Sequence, residues 1–430
     1  MGVEPVPASL FPVTTQLRDD GVSVGGVDLR ALATTFGTPL FVYDEVTLRE
    51  RCREAARVFD DGVAFASKSF LCGAMAQLAA EEGLYVDVAT GGELDIVLRA
   101  GVPANRVIVH GNNKSAEEIE HAVAVGVHRI VVDNFPEIEH LRKVVSPESP
   151  VDALVRVTPG VEAHTHEYVR TGQEDTKFGF SVATGEARRA IEQLRMIDGL
   201  TLHGVHAHIG SQIFEVDGFK ESMGVLVDFT KGDDFDELCV GGGLGVAYVT
   251  GESAPSITQW GRAIRDAAKD SGLRSDVRIL AEPGRAIVAQ AGVTLYRVGV
   301  VKPVTHRTYM AVDGGMSDNP RPVLYGSGYE AFDVDQPLAE RTQEVRLVGK
   351  HCESGDVLVD EAHLPASTGV NSLVATPVTG AYGYSMASNY NRVPRPAVVF
   401  VHNGAAREVL RRETFEDLAR LEVGLSSTLS

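Results

Sequence analysis

Short apolar runs alternate with amphipathic stretches over most of the chain. Between the apolar runs, apolar residues recur at spacings of three and four, which indicates helices such as Glu45–Phe59, Ala74–Glu82, Glu93–Ala100, Ala116–Val125 and Glu137–Val145. The apolar runs are short and rich in β-branched residues, as is typical of buried strands. The predicted strands are Val63–Ala66, Tyr85–Val88, Val107–Val109, Ile130–Val132, Ala153–Val157, Leu202–His206, Glu237–Val240 and Arg278–Ala281.

The alternation of strands and helices predicts a parallel sheet, because parallel neighbours need a crossover connection. Eight strand–helix repeats favour an α/β fold of the closed (β/α)₈ (TIM-like) barrel type over residues 39–300. The alternative is an open, doubly wound sheet. Its usual fingerprint, a Gly-x-Gly-x-x-Gly motif that opens the first helix, is absent from the sequence.

The pattern changes after residue 300. Segments such as Glu344–Gly349 and Pro396–Val401 are typical of β-strands and are separated by Gly, Pro and Asn turns. Residues 301–430 are therefore predicted to form a second, mostly β domain of sandwich or barrel type. The N-terminal segment, residues 1–38, lies outside the barrel pattern and is expected to join that second domain.

Charge and composition exclude several classes of function. The formal net charge of −19 disfavours a nucleic-acid partner, since phosphate binding needs a basic surface. No apolar run approaches the ~20 residues of a membrane helix, and the first residues do not resemble a secretory signal. The four cysteines have no paired spacing, which favours a reducing, cytoplasmic setting.

Polar and glycine-rich motifs follow all eight predicted strands. In a (β/α)₈ barrel, the carboxyl ends of the strands form the face that carries the chemistry. Eight such motifs on one face indicate an active site. They are Lys68, Thr90–Glu93, His110–Lys114, Asp133–Asn134, Arg156, His206–Ser211, Gly241–Gly243 and Glu282–Arg285.

Two of these motifs predict a particular cofactor. A glycine triplet alone is typical of a tight turn, but Gly241, Gly242 and Gly243 follow strand seven, where barrels commonly bind phosphate. With Gly284 and Arg285 they form a candidate phosphate site. Lys68 follows strand one, where apolar surroundings are expected to lower its pKa, which suits Schiff-base chemistry. A phosphate site and such a lysine in one barrel mouth indicate pyridoxal 5'-phosphate.

The sequence resembles the fold-type III pyridoxal-phosphate-dependent decarboxylases, and among them the diaminopimelate decarboxylases. The resemblance runs from about Pro39 to about Leu421. It rests on seven ordered motifs, which are Phe65–Lys68, His110–Ser115, His206–Gln212, Gly241–Gly245, Glu282–Arg285, His351–Asp356 and Gly380–Tyr382. One departure is Cys239, two positions before the glycine triplet, where relatives often have Asp.

The resemblance implies a set of cofactor contacts. Lys68 would bind the cofactor through a Schiff base, His208 would stack on its ring, and Glu282 would pair with the ring nitrogen. The phosphate end would be held by Ser211, Gly241, Gly242, Gly243, Pro283, Gly284, Arg285 and Tyr382.

The resemblance also implies a substrate site. Cys352 would return a proton to the substrate, and Lys68, His208 and Cys352 would be the catalytic residues. Cys352 and Glu353 would come from the other subunit of a homodimer with shared active sites. The substrate contacts would be Arg285, Arg321, Tyr325, Glu353 and Tyr382.

The implied reaction is decarboxylation of meso-2,6-diaminopimelate to L-lysine, the last step of lysine biosynthesis. The alternatives are the same reaction on ornithine, arginine, lysine or an antibiotic-pathway amino acid, and a catalytically dead relative that only binds the cofactor. The presence of Lys68 and Cys352 disfavours the dead relative. No metal site is predicted, because the sequence has no His/Asp set with ligand spacing beyond His206-x-His208.

Overall fold

The computed structural model describes residues 3–161 and 176–425, and the chain divides into two compact units. The barrel unit comprises Leu48–Ala247 and Ser253–Val288. The β unit comprises Met1–Thr47, Tyr248–Glu252 and Ala289–Ser430. Among the helices of the described residues, none is long and apolar enough to cross a membrane.

The helices and strands follow one another along the chain with short connections. The helices are α1 (Leu29–Phe36), α2 (Glu45–Val58), α3 (Gly73–Glu81), α4 (Gly91–Arg99), α5 (Ala116–Val125), α6 (Phe135–Val144), α7 (Glu186–Arg195), α8 (Asp217–Phe229), α9 (Ile257–Asp270), α10 (Arg285–Val288), α11 (Arg321–Tyr325) and α12 (Phe415–Ala419). The strands are β1 (Gln16–Arg18), β2 (Gly21–Val24), β3 (Val27–Asp28), β4 (Leu40–Asp44), β5 (Ala64–Ala66), β6 (Tyr85–Val88), β7 (Val107–Val109), β8 (Arg129–Val132), β9 (Val151–Thr158), β10 (Phe180–Ser181), β11 (Leu200–His206), β12 (Glu237–Cys239), β13 (Arg278–Leu280), β14 (Gly292–Pro303), β15 (Thr308–Val312), β16 (Phe332–Asp333), β17 (Gln343–Val348), β18 (Val357–Leu364), β19 (Leu373–Pro377), β20 (Ala397–His402) and β21 (Ala405–Leu410).

The barrel unit is built on eight parallel strands in the order β5-β6-β7-β8-β9-β11-β12-β13. A parallel bridge between Val63 and Ala281 joins the first strand to the last. Two backbone hydrogen bonds of 2.9 Å support it, from the Ala64 N–H to the Ala281 carbonyl and from the Ala281 N–H to the Gly62 carbonyl. The sheet therefore closes, which confirms the predicted (β/α)₈ barrel and excludes the open sheet.

Side chains inside the barrel form layers, because alternate residues of a strand face the same side. One layer is a buried apolar cluster of Ala64, Ile108, Val131, Leu154, Cys239 and Leu280. Cys239 therefore fills space in the interior. Towards the amino ends of the strands, buried Arg129 pairs with Glu237 through two hydrogen bonds of 3.0 and 3.1 Å.

Helix boundaries in the barrel unit follow local capping chemistry. Ser115 caps α5 in a reciprocal box with Glu118, and Ser256 caps α9 in the same way with Gln259. Asn134 caps α6, whose second residue is a proline. For α5 and α6, these caps explain why the predicted starts, Ala116 and Glu137, lie within two residues of the observed starts.

The β unit contains a mixed sheet with the strand order β18-β17-β15-β14-β4-β20-β21. Off this path, β19 pairs with β14, and β16 pairs with β19. Strand β4 pairs antiparallel with β14 and parallel with β20. The unit boundaries therefore lie after Thr47 and before Ala289, whereas residues 39 and 300 were predicted. The difference arises because β4 and β14 are buried apolar strands, and their composition does not reveal which sheet they join.

Gly204 in β11 leaves no room for a side chain. A Cβ atom there would lie 1.7 Å from the carbonyl oxygen of Glu237 on the adjacent strand. We expect Gly204→Ala to destabilise the fold by about 1–3 kcal/mol through forced strand displacement, and to lower the melting temperature by several degrees.

Differential scanning calorimetry measures this effect. The matched control is Gly73→Ala at the start of α3, where the nearest atom to a new Cβ lies 3.8 Å away. Equal melting temperatures for the two variants would contradict the prediction.

Candidate active site

The polar face of the barrel lies one layer above the apolar cluster. His110, Arg156 and Glu282 each follow a residue of that cluster by two positions, so the strand period directs their side chains to the same interior. Asp87 and His206 belong to the same buried group. Of these residues, His110, Arg156, His206 and Glu282 belong to the predicted strand-end motifs, and only Glu282 had a predicted role. Asp87 lies within a strand and had none.

Glu282 is held between two histidines. His110 Nε2 lies 2.9 Å from Glu282 Oε1, and His206 Nε2 lies 2.9 Å from Oε2. All three side chains are buried. Burial raises the pKa of Glu282, but the two histidines outweigh burial and hold this pKa well below its usual range. Glu282 is therefore a buried carboxylate that remains ionised.

This trio also has the composition of a metal-binding group. One ligand atom from each of His110, His206 and Glu282 lies within 4.8 Å of the others. The contacts between them have hydrogen-bonding distances, so the two histidines satisfy the Glu282 carboxylate. The absence of a metal site stays a prediction.

Two further charges surround this carboxylate. Burial raises the pKa of Asp87 to about 6, and the nearby Glu282 raises it too, although His110 lowers it. Burial lowers the pKa of Arg156, whose guanidinium lies 3.7 Å from Asp133. The site thus concentrates charges of both signs in a desolvated interior, as candidate active sites do.

The glycine triplet makes a close backbone turn after β12. Added Cβ atoms would lie 2.6 Å from the Ala207 carbonyl at Gly241, 2.3 Å from the Glu282 carbonyl at Gly242, and 2.3 Å from the Gly210 carbonyl at Gly243. Gly241 and Gly243 also have positive φ angles, +66° and +115°. Only glycine fits this turn. The Gly241 and Gly242 N–H groups donate to Cys239 Sγ and His208 Nδ1, which leaves the Gly243 N–H for an anion.

His208 lies directly against this turn. The Gly242 N–H donates a hydrogen bond of 3.2 Å to His208 Nδ1, which places the ring proton on Nε2. Desolvation and then Lys68 lower the pKa of His208 well below its usual value. A neutral, oriented imidazole is suited to stack on an aromatic ring.

Arg285 and Ser211 meet at the same end of the barrel. The Arg285 Nη2 donates a 2.9 Å hydrogen bond to Ser211 Oγ. A Cβ at Gly284 would lie 2.8 Å from Ser69 Oγ, so Gly284 allows its segment to approach the loop after β5. Pro283 separates Gly284 from Glu282 in the sequence.

Lys68 lies in a short 3₁₀ turn directly after β5. Its neighbours Ser67 and Ser69 are buried, but Lys68 itself is exposed. The prediction that apolar residues surround Lys68 is therefore wrong, because its side chain is exposed. Lys68 acts on the pKa values of both Asp87 and His208, which places its charge near the buried group.

In the β unit, Arg321 is buried among aromatic residues. Its Nη1 donates a 2.5 Å hydrogen bond to the Tyr329 hydroxyl, and its guanidinium lies 4.2 Å from the centre of the Tyr248 ring. Burial lowers the pKa of Arg321, but the tyrosines, including Tyr382, together raise it. Arg321 is therefore a fixed cation. It is the first residue of the short helix α11, and Tyr325 is the last.

Cys352 and Glu353 are exposed on a loop that Asp356 organises. The Asp356 carboxylate accepts hydrogen bonds from the Met316 N–H at 2.6 Å, the His351 N–H at 2.9 Å and the His351 ring at 2.8 Å. These bonds explain the spacing in the motif His351–Asp356. Asp356 was not assigned a role from the sequence, because its importance depends on Met316, forty positions away.

Tyr382 has a backbone conformation that is uncommon for a residue with a side chain. Its φ angle is +59°, in the left-handed region. Such conformations cost about 1–3 kcal/mol and cluster at functional sites. The half-buried Tyr382 is therefore a reasonable candidate for ligand contact.

The predicted site residues fall into two groups, one in each unit. The barrel unit brings together Lys68, His208, Ser211, Gly241, Gly242, Gly243, Glu282, Pro283, Gly284 and Arg285. The β unit holds Arg321, Tyr325, Cys352, Glu353 and Tyr382.

The barrel group fits pyridoxal phosphate. A side chain on any residue of the glycine turn would fill the space beside the turn. No described residue accepts a hydrogen bond from the Gly243 N–H. Glu282 is a buried carboxylate, His208 is oriented by the glycine turn, and a lysine follows β5. An anion site, a ring platform, an acid and an amine are the groups that this cofactor requires.

Comparison with known proteins agrees with this arrangement. Residues 45–289 match the family model "Pyridoxal-dependent decarboxylase, pyridoxal binding domain". The chain is 46% identical to the diaminopimelate decarboxylase of Mycobacterium tuberculosis (strain H37Rv), with 96% of this chain and 98% of that protein covered. The Bacillus subtilis diaminopimelate decarboxylase matches with the same identity and coverage. A crystal structure of diaminopimelate decarboxylase from M. jannaschii has a TM-score of 0.89 at 29% identity and covers 96% of this chain and 98% of its own.

Fold and site thus define a pyridoxal-dependent barrel decarboxylase, and the family model covers more than half of the chain. Within that class, the chain belongs to the diaminopimelate decarboxylase family. It is an enzyme, and its cofactor is pyridoxal 5'-phosphate.

We expect Asp356→Asn to loosen the Cys352 loop, because the amide replaces an acceptor of three hydrogen bonds with a partial donor. Leaving buried N–H groups unpaired costs about 1–3 kcal/mol. Amide hydrogen exchange in the loop should accelerate about 10- to 100-fold.

Hydrogen–deuterium exchange followed by mass spectrometry tests this expectation on peptides that cover the loop. The matched control is Asp360→Asn, which removes the exposed Asp360 carboxylate that pairs with Arg346. Unchanged exchange at Met316 and His351 would contradict the proposed role of Asp356.

Proposed function

We propose that this enzyme decarboxylates meso-2,6-diaminopimelate to L-lysine and CO₂, the final step of lysine biosynthesis. The observation that carries the proposal is Arg321, a buried cation fixed by two tyrosines. Diaminopimelate differs from lysine by a second carboxylate, and an immobilised guanidinium is suited to bind it through two hydrogen bonds. The near full-length relatives are named for this substrate, and the M. jannaschii structure is titled as a complex with L-lysine.

In the barrel unit, the proposed roles concern the cofactor. When bound, pyridoxal phosphate supplies a ring that accepts the electrons left by departing CO₂. Lys68 holds it through the side-chain amine, and His208 supports one face of the ring. Glu282 lies ready to pair with the ring nitrogen. Ser211, the glycine turn, Pro283, Gly284, Arg285 and Tyr382 hold the phosphate end.

In the β unit, the proposed roles concern the substrate. Cys352 Sγ holds the proton that returns to the Cα of the substrate, and its exposure on an ordered loop suits that task. Glu353 binds the distal amine of the substrate. Arg321 and Tyr325 bind the distal carboxylate, with Arg285 and Tyr382 in support.

We further propose a homodimer in which Cys352 and Glu353 complete the active site of the partner subunit. Both are exposed although the proposed reaction needs them desolvated. A cytoplasmic location belongs to the same proposal, and the four free cysteines support it.

The second candidate function is decarboxylation of another basic amino acid, such as ornithine, arginine or lysine, or of an antibiotic-pathway amino acid. These basic substrates lack the distal carboxylate. They would leave the buried Arg321 without an anionic partner, which disfavours them.

Assays of the wild type with meso-diaminopimelate, L-lysine, L-ornithine and L-arginine test the function. We expect diaminopimelate to be preferred by roughly 10⁴-fold in kcat/KM, because analogues leave polar groups of the site unpaired. Arg321→Ala should reduce kcat/KM for diaminopimelate about 100-fold or more. The bound-cofactor absorbance should stay unchanged.

Arg407→Ala in β21 is the matched control, since Arg407 is exposed. It should retain wild-type kinetics. Efficient turnover of lysine or ornithine by the wild type would overturn the proposal and favour the second candidate function.

Subunit mixing tests the shared site. Lys68→Ala should be inactive and lack the visible absorbance of covalently bound cofactor, and Cys352→Ala should be inactive but coloured. Random pairing makes half of the dimers hybrid, each with one intact site, so activity should recover to roughly a quarter of the wild-type value. Native mass spectrometry verifies the exchange of subunits. Exchange without recovery would mean that each site is built within one chain.

A further inference from the structure

We propose that His110 and His206 are positioning residues, which keep Glu282 ionised so that the proton between Glu282 and the cofactor's ring nitrogen stays on the nitrogen. The inference rests on the proposed pairing of Glu282 with that nitrogen. Neither histidine has a role in the catalytic assignments above.

The two histidines hold the Glu282 carboxylate in a fixed orientation. The two histidines approach different oxygens of the carboxylate, each at 2.9 Å, and their rings meet edge to face with centroids 4.9 Å apart. Contacts at both oxygens fix the plane of the carboxylate. Because a carboxylate offers about four acceptor positions, each oxygen keeps capacity for a further donor such as a ring N–H.

His206 carries its proton on one particular ring nitrogen. Its Nδ1 is buried and has no hydrogen-bond partner among the described residues. A proton there would be an unpaired buried donor, so the ring carries its proton on Nε2 and donates it to Glu282. His206 therefore stabilises the negative charge of Glu282 through this hydrogen bond.

Charges of both signs surround Glu282. Burial and the neighbouring Asp87 favour its neutral acid, whereas the two histidines favour the carboxylate and determine the direction of its pKa shift. Cys239, which burial keeps as a thiol, also faces it, and Lys68 and Arg156 contribute positive charge nearby.

The low pKa of Glu282 determines which atom carries the proton shared with the ring nitrogen. A carboxylate with a low pKa is a weak base, so a shared proton stays on the nitrogen. Without the two donors, the desolvated Glu282 would take up the proton, and the ring would lose the positive charge that makes it an effective electron acceptor.

The experiment measures the proton directly. The wild type and variants are loaded with pyridoxal phosphate labelled with ¹⁵N in the ring, and the nitrogen chemical shift is recorded by solid-state NMR. We expect the protonated value in the wild type. In His110→Phe and in His206→Phe the shift should move towards the unprotonated value, with kcat reduced about 10-fold or more and KM nearly unchanged.

Three comparisons isolate the cause. His110→Gln and His206→Gln, which keep an N–H donor near the Nε2 position, should restore the protonated signal. His203→Phe is the matched control, because His203 lies on the same strand and pairs with Asp152 and Asp236 instead. Where a phenylalanine variant does not load cofactor, the asparagine variant replaces it, since its shorter amide cannot reach Glu282.

Glu282→Gln distinguishes failure of the proposed pairing between Glu282 and the ring from failure of the proposed role of His110 and His206. If Glu282→Gln keeps the wild-type nitrogen shift, the proposed pairing of Glu282 with the ring is wrong. If Glu282→Gln loses the protonated signal while the histidine variants keep it, the pairing holds and the role of His110 and His206 is overturned.

Discussion

Closure of the eight-stranded sheet is the constraint on which the rest of the active site depends. The bridge between Val63 and Ala281 removes both sheet edges. Alternate side chains of every strand then point into one common interior. In a barrel of eight strands, side chains fill that interior in layers. Apolar side chains form one layer, so the buried polar side chains two residues further along several strands, such as His110 and Glu282, must satisfy one another.

The group around Glu282 shows how this requirement produces chemistry. A lone carboxylate at that depth would be neutral, since burial opposes its charge. Two histidines from different strands reverse the preference, because each supplies a directed donor. The hydrogen bonds that stabilise the interior therefore also keep Glu282 ionised. Glu282 is the residue that we propose pairs with the ring nitrogen of the cofactor.

In the β unit, neighbouring residues hold the candidate substrate-binding residues in fixed positions. Arg321 is held by a phenol and an aromatic face, and Asp356 gathers the N–H groups of the loop that bears Cys352. In both cases the candidate residue is immobilised by neighbours that do not themselves take part in the reaction. Such support reduces the entropy lost when substrate binds.

The sequence by itself determined the eight strands, the barrel and the motifs at the strand ends, because periodicity and glycine chemistry are local properties. It also carried the resemblance that assigned Lys68, His208, Glu282 and Cys352. Only the tertiary structure decided that β4 and β14 join the second sheet, that Lys68 is exposed and that His110 and His206 flank Glu282. The contact between His110 and Glu282 joins residues 172 positions apart. No local pattern encodes such a contact, since it exists only once the barrel has closed.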